Sequence, residues 1–219
     1  ALTHGHAMWW FDMWGGWYDD PDYLKLLGKC REIYKDSMKK RRGSCAEVAV
    51  FIDEHVWSEC TSDDWYVPAD AKPTLGLTGT PYDIYLASDF EQVFRNYKAL
   101  VFVIPKETEQ ISACIKIAEK AKIPNYRFTH ECVRVDENNH WIVEPAGMVE
   151  FYKKAGVLVY TNLPAVVYAS DSFVFLHTAR DGRYDFHIGD KKNLKDLFTG
   201  KEYSFPCDLK FGQSYLFEK

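Results

Sequence analysis

No apolar run in this chain of 219 residues approaches the ~20 residues that cross a bilayer, so no membrane partner is expected. There is no Walker A sequence and no G-x-G-x-x-G, so no phosphate or nucleotide site is signalled. No two of the six cysteines (30, 45, 60, 114, 132 and 207) have C-x-x-C spacing, which removes the usual zinc signature. Neither a metal nor a cofactor is therefore expected. Positive charge is also short: 27 Lys and Arg stand against 32 Asp and Glu, a net charge of -5. That balance forces no broad basic face and argues against nucleic acid. No internal repeat or low-complexity segment is visible. Residues 1–6 do not read as a secretory leader. They look like the middle of a structured stretch, so a piece of a longer protein is expected. A chain of this size buries a core without disulfides, and the cysteines are read as mostly free, buried thiols. The compartment stays open between the cytoplasm and the periplasm or exterior.

What the chain does have is aromatic residues: 7 Trp, 14 Tyr and 14 Phe. Residues 6–12 (HAMWWFD) read as a short strand, followed by a Trp14-Gly15-Gly16-Trp17 loop. Asp20 and Pro21 are an N-cap and a first helical residue. The spacing of Leu24, Leu27, Cys30, Tyr34 and Met38 predicts a helix over about 21–41. Lys39 to Arg42 would occupy its last turn, with Gly43 as the stop. Strands are expected at 46–52, 82–86, 99–104 and 157–160, and helices at 88–95, 107–121 and 147–155. Ile111, Cys114, Ile115 and Ala118 are the inward face of the second of these helices. Residues 54–80 read as irregular, and 126–135 with 140–143 as a hairpin around Asp136 to Asn139. The continuous apolar run 99–104 suits a strand buried on both faces. Strands alternating with helices indicate a mainly parallel sheet flanked by helices. Past Pro164 the pattern changes to short strands at 166–169, 173–177, 184–188 and 215–217, with Asp181-Gly182 as a hairpin signal. That tail is expected to form a small antiparallel β unit.

Four constellations bear on chemistry. His6, Trp9, Trp10, Asp12, Trp14 and Trp17 form an aromatic cluster at a strand end, where a (β/α) barrel places ligand contacts. The same residues also suit a core strand and its packing loop. His130-Glu131-Cys132 places a thiol near an imidazole, yet neither Cys132 nor Cys114 has the flanking glycines of a nucleophile elbow. The loops after 52 and 86 are acidic, which disfavours phosphate. Adjacent carboxylates (Asp19 and Asp20, Asp53 and Glu54, Asp63 and Asp64) read as caps or solvated charge. No pair is identified with the separation of about 5–9.5 Å that glycoside hydrolysis needs.

The order of several motifs resembles the C-terminal part of family 42 β-galactosidases. His4 to Met13 resembles the eighth strand of that family's barrel, and Pro21 to Arg42 its final helix. Ala46 to Asp53 is similar to the strand that opens the second domain. Leu77 to Leu86 (LTGTPYDIYL), followed by Tyr97 to Phe102, resembles a "G-x-P-x-D-x-Y" then "Y-K" then apolar-strand succession. Val167 to Ser170, Leu176-His177, Gly182 and Asp196 to Gly200 resemble the small terminal β domain.

The resemblance implies three parts: 1–43 as the end of a barrel, 44–163 as a flavodoxin-like (class I glutamine amidotransferase-like) α/β domain, and 164–219 as an antiparallel β domain. It implies a homo-oligomer, a trimer in the family, and a carbohydrate substrate for the parent enzyme. It places the catalytic glutamates on barrel strands ahead of Ala1, so no catalytic residue is carried over. Trp9 or Trp10 matches a sugar-contacting position. The expected role is a non-catalytic assembly or accessory portion of a glycoside hydrolase acting on β-glycosides such as β-galactosides. The alternatives are a self-contained amidotransferase-like enzyme and a carbohydrate-binding module using the Trp cluster.

Overall fold

The computed structural model describes residues 3, 19–56, 59–61, 64–138, 142–189, 191 and 193–219. Residues Ala46–Val167 form one compact unit, and the segment ending at Cys45 joins Tyr168–Lys219 in the other.

The first unit is built on four parallel strands: β1 (Val48–Ile52), β2 (Tyr82–Leu86), β3 (Ala99–Val103) and β4 (Asn125–Phe128). Their order is β2-β1-β3-β4, with Val48 beside both Tyr82 and Ala99 and Leu100 beside Asn125. Among the described residues there are five α-helices: α1 (Pro21–Ser37), α2 (Tyr66–Gly76), α3 (Phe90–Val93), α4 (Glu109–Lys120) and α5 (Ala146–Lys154). Side chains alternate across a strand, so β1 and β3 feed two cores. Val48, Val50, Val101 and Val103 pack with Val67, Ala71 and Leu75 of α2 and Met148 and Tyr152 of α5. Ala49, Phe51, Leu100 and Phe102 pack on the opposite face with Phe90 of α3, Phe94, and Ile111, Ile115 and Ala118 of α4. Phe51, Phe90 and Phe102 meet at centroid distances of 5.0–5.9 Å, so much of the aromatic content here is core. The mainly parallel, helix-flanked sheet read from the sequence is the observed one, and Ile111, Cys114, Ile115 and Ala118 are all buried.

Three readings in this unit change. Residues 66–76 are helical rather than irregular. Pro68 falls in the first turn, where no N–H partner is lost, while Pro73 sits inside the helix. Of the expected hairpin, the described residues hold the short β4, a 3-10 turn at His130–Cys132 and a bridge position at Val135. Across its loop, Ile142 N donates to Arg134 O (2.9 Å) and Asn138 N to Asp136 Oδ1 (2.9 Å). Residues 157–160 form no strand and join no ladder. They are held from the side instead: Leu158 N donates to Glu47 Oε2 (2.7 Å), and Tyr160 N donates to Gly79 O (2.9 Å).

The motif around Gly79 is structural. Gly79 has φ +69°, and a Cβ there would lie 2.5 Å from the Thr161 methyl. Its N–H donates to Ala165 O at 3.0 Å. Along the edge strand, Tyr97 Oη donates to Asp83 Oδ2 (2.8 Å) and shares a 2.6 Å bond with Tyr85 Oη. A phenol has one proton, so Tyr85 is the donor in the second bond. Lys98 pairs with Glu47 (2.5 Å) and donates to Gly156 O (3.2 Å).

In the other unit Asp20 Oδ1 caps α1, accepting from Asp22 N (2.9 Å) and Tyr23 N (3.0 Å). The helix stops at Ser37, short of the expected 41, so Lys39 to Arg42 lie beyond it. Two of those residues reach the tail instead. Lys40 pairs with Glu218 (2.5 Å) and lies 5.3 Å from the Phe173 ring centre, and Arg41 pairs with Asp171 (3.5 Å). Ile33 is buried against Phe173 and Leu216, whereas Leu24 and Met38 of the expected apolar face are exposed.

The tail contains β5 (Ala165–Ala169), β6 (Phe173–Thr178), β7 (Gly182–Tyr184), β8 (Asn193–Lys195), β9 (Glu202–Ser204), β10 (Cys207–Leu209) and β11 (Ser214–Glu218). They form sheets β11-β6-β5, β10-β7 and β8-β9, the last two antiparallel, as is the β11–β6 pair. Asp181-Gly182 does not close a hairpin. β6 and β7 belong to different sheets, and Asp181 Oδ1 accepts from Phe211 N (2.7 Å). The expected strand at 184–188 is displaced: β7 ends at Tyr184, the one residue the two share, and β8, β9 and β10 add three strands that the sequence pattern did not reveal.

Gly79→Ala is expected to destabilise the chain by about 1–2 kcal/mol or more, from the left-handed backbone and the Thr161 contact together. Adding Thr161→Ser should recover the contact part and leave the backbone part. Denaturant midpoints of the single and double variants measure both.

Candidate functional site

In an open parallel sheet, ligands bind beyond the carboxyl ends of the strands, where the strand order reverses. Here that place lies between β1 and β3. It is closed by internal hydrogen bonds. Asp53, directly after β1, is 3% exposed. One of its oxygens accepts from His55 N (2.9 Å) and the other from the Thr108 hydroxyl. Thr108 in turn caps α4, accepting from Ile111 N at 3.2 Å. Lys106, in the loop after β3, is committed to Glu59 at 2.9 Å.

A second concavity opens between α2, β4 and α5. It encloses about 180 Å³. Asp70, Thr74, Phe128 and Met148 are its buried part, while Glu131, Arg134, Ile142 and Glu144 are exposed at its mouth. Tyr126 and Cys132 stand between, half-buried. Asp70 is 1% exposed, and its Oδ1 has no hydrogen-bond partner. Burial raises its pKa above the ordinary carboxyl value, because the ion is desolvated without compensation. At the mouth Arg134 is committed to Glu144 at 2.9 Å.

The residues singled out from the sequence fall as follows. His6, Trp9, Trp10, Asp12, Trp14 and Trp17 lie outside the described residues, as does Asp63. His130 Nε2 lies 2.9 Å from Pro105 O and 3.3 Å from Asp64 Oδ1. Cys132 Sγ donates to Arg127 O (3.5 Å) and lies 3.8 Å from Tyr126 Oη. The imidazole thus bonds to other groups, and the pair forms no thiol–imidazole dyad. Cys114 is buried in α4 and donates to Ala87 O (3.7 Å). Burial, and then the nearby Asp53 charge, push its thiol up to about 11, the opposite of activation. All six cysteines are free; Cys114 is buried and the other five are only half-buried, a correction to the reading of them as mostly buried. Asp20 and Asp64 serve as local caps, the latter accepting from Thr61 N (2.7 Å). Among the described residues, no group of three or more His, Cys, Asp or Glu could hold a metal ion. No described helix is long and apolar enough to cross a membrane.

Asp70 is the residue that sequence reasoning missed. A signal existed: Val67, Ala71, Thr74 and Leu75 recur at helical spacing, and Asp70 falls within that buried stripe. The two prolines masked it.

The sign of its effect on stability follows from linkage. With the folded-state pKa raised, the native protein holds a proton that the unfolded chain has released. Stability therefore falls as pH rises from the ordinary aspartate value through the raised one. The facing groups are Tyr126, Glu131, Cys132, Arg134 and Glu144. Asp70→Asn removes this titration. Relative to Asp70→Asn, the parent protein should lose stability between acidic and neutral pH, in the direction that the raised carboxyl pKa sets. Urea titrations of both proteins at pH 4 and pH 8 measure the difference.

The fold is shared with known structures. Gan42B, a GH42 β-galactosidase from G. stearothermophilus, matches with a TM-score of 0.58 at 13% identity, over 92% of this chain and 44% of that one. A β-galactosidase from Bacillus circulans sp. alkalophilus matches with a TM-score of 0.58 at 13% identity, over 90% and 44%. A GH42 exo-carrageenase from Bacteroides ovatus matches with a TM-score of 0.52 at 13% identity, over 90% and 31%. The chain spans less than half the length of each. No protein-family model matches, and no curated protein matches by sequence.

Proposed function

We infer that this chain is a non-catalytic assembly or accessory portion of a glycoside hydrolase acting on β-glycosides such as β-galactosides. One observation carries the reading: nine-tenths of the chain shares a fold with GH42 β-galactosidases while covering 44% of their length. The four-stranded sheet would be the flavodoxin-like domain, serving in a homo-oligomer, a trimer by family resemblance. The aromatic segment with His6, Trp9, Trp10, Asp12, Trp14 and Trp17 would supply one edge of the sugar site. The reacting carboxylates would come from barrel strands on the N-terminal side. Asp20, Asp53 and Asp64 are engaged in local hydrogen bonds rather than facing one another. An amidotransferase-like enzyme is disfavoured by the bonded imidazole of His130 and the protonated thiol of Cys114.

The test is direct. The chain should hydrolyse no aryl β-galactoside above background, and the coding sequence upstream of Ala1 should encode about 350–450 residues of alternating strands and helices. Turnover that survives purification to homogeneity would sink the reading, and so would a start codon immediately upstream.

A further inference from the structure

The concavity between α2, β4 and α5 is used by nothing in the preceding reading. Its floor is a carboxyl group with a fully buried, unpartnered oxygen, Asp70 Oδ1. A buried polar atom without a partner is rare in a folded protein and calls for a missing water, ion or ligand. Three features say what that ligand is. The lining holds three carboxyl groups, Asp70, Glu131 and Glu144, and one cation, Arg134, already paired with Glu144. The site therefore lacks positive charge at its floor. Tyr126 and Phe128 supply aromatic walls, which favour an alkylammonium over a hydrated metal ion. The described residues also offer no cluster of three metal ligands. The volume of about 180 Å³ suits a molecule of a few heavy atoms, and the exposed mouth gives it a way in.

We propose that this cavity binds a small organic molecule through a single ammonium group seated on Asp70. The ammonium donates to the carboxyl group of Asp70, which lines the cavity, and its alkyl portion lies among Tyr126, Phe128 and Met148. This inference is independent of any glycosidase role. It rests on the cavity, and it stands or falls without the missing carboxylates.

Propylammonium and its neutral counterpart 1-propanol are suitable probes, titrated into the full chain by calorimetry and by amide NMR shifts. Propylammonium should bind saturably across the millimolar range, about tenfold or more tightly than propanol, because the charge-assisted bond is lost in the alcohol. Shifts should centre on Asp70, Thr74 and Tyr126. Asp70→Asn should lose about tenfold or more in affinity for the amine and nothing for the alcohol. Glu131→Gln, at the exposed mouth and away from the core, should weaken amine binding by about two- to threefold and serves if the Asp70 variant does not fold. Absence of saturable amine binding, equal affinity for the alcohol, or shifts clustered away from Asp70 would each overturn the proposal. The first of those outcomes would leave water as the occupant.

Discussion

Burial of both faces of β1 and β3 is the constraint on which the α/β unit depends. A strand with apolar side chains on both faces cannot sit at a surface, so each face must be covered. Parallel pairing forces a crossover after every strand, and the crossovers are the covers. The chain supplies α2 and α5 for one face and α3 and α4 for the other. All the strand ends then point the same way, and the loops after β1, β3 and β4 gather at one edge. What this unit can do chemically is decided there and in the gaps between its covering helices.

Legibility in the sequence followed the strength of the local signal. The run Ala99 to Ile104 and the spacing of Ile111, Cys114, Ile115 and Ala118 name their own structures, because burial is continuous along them. Residues 66–76 escaped because Pro68 and Pro73 look like breakers, though a proline in a first turn breaks nothing. The strands β8, β9 and β10 have three residues each, too few for a period of two to show. Asp181-Gly182 misled for a different reason: the aspartate caps a loop 30 residues away, a partner that no local pattern contains. The basic run was misplaced by the same token. Its partners, Asp171, Phe173 and Glu218, come from the far end of the chain.

The motif that suggested a family has a packing explanation. Gly79 admits the neighbouring strap with its Thr161 methyl, Asp83 and Tyr85 are joined through Tyr97, and Lys98 ties Glu47 to the end of α5. Such a motif is a guide to fold, and function must be argued from a site.

Two carboxyl groups make that last distinction concrete. Asp53 and Asp70 are buried almost equally, at 3% and 1% exposure. Asp53 accepts from a backbone amide and a hydroxyl, and its burial thereby joins β1 to α4. Asp70 has a buried oxygen with no partner and a pKa raised by desolvation. The first carboxylate locks the crevice where this class of sheet commonly takes ligands. The second leaves an unmet demand in a gap between two covering helices and a strand. A fold that wanted only stability would place an alanine or leucine at 70, as it does at Ala71 and Leu75 on the same stripe. Retaining an unpaired acid there makes sense if the group that satisfies it arrives from outside the chain.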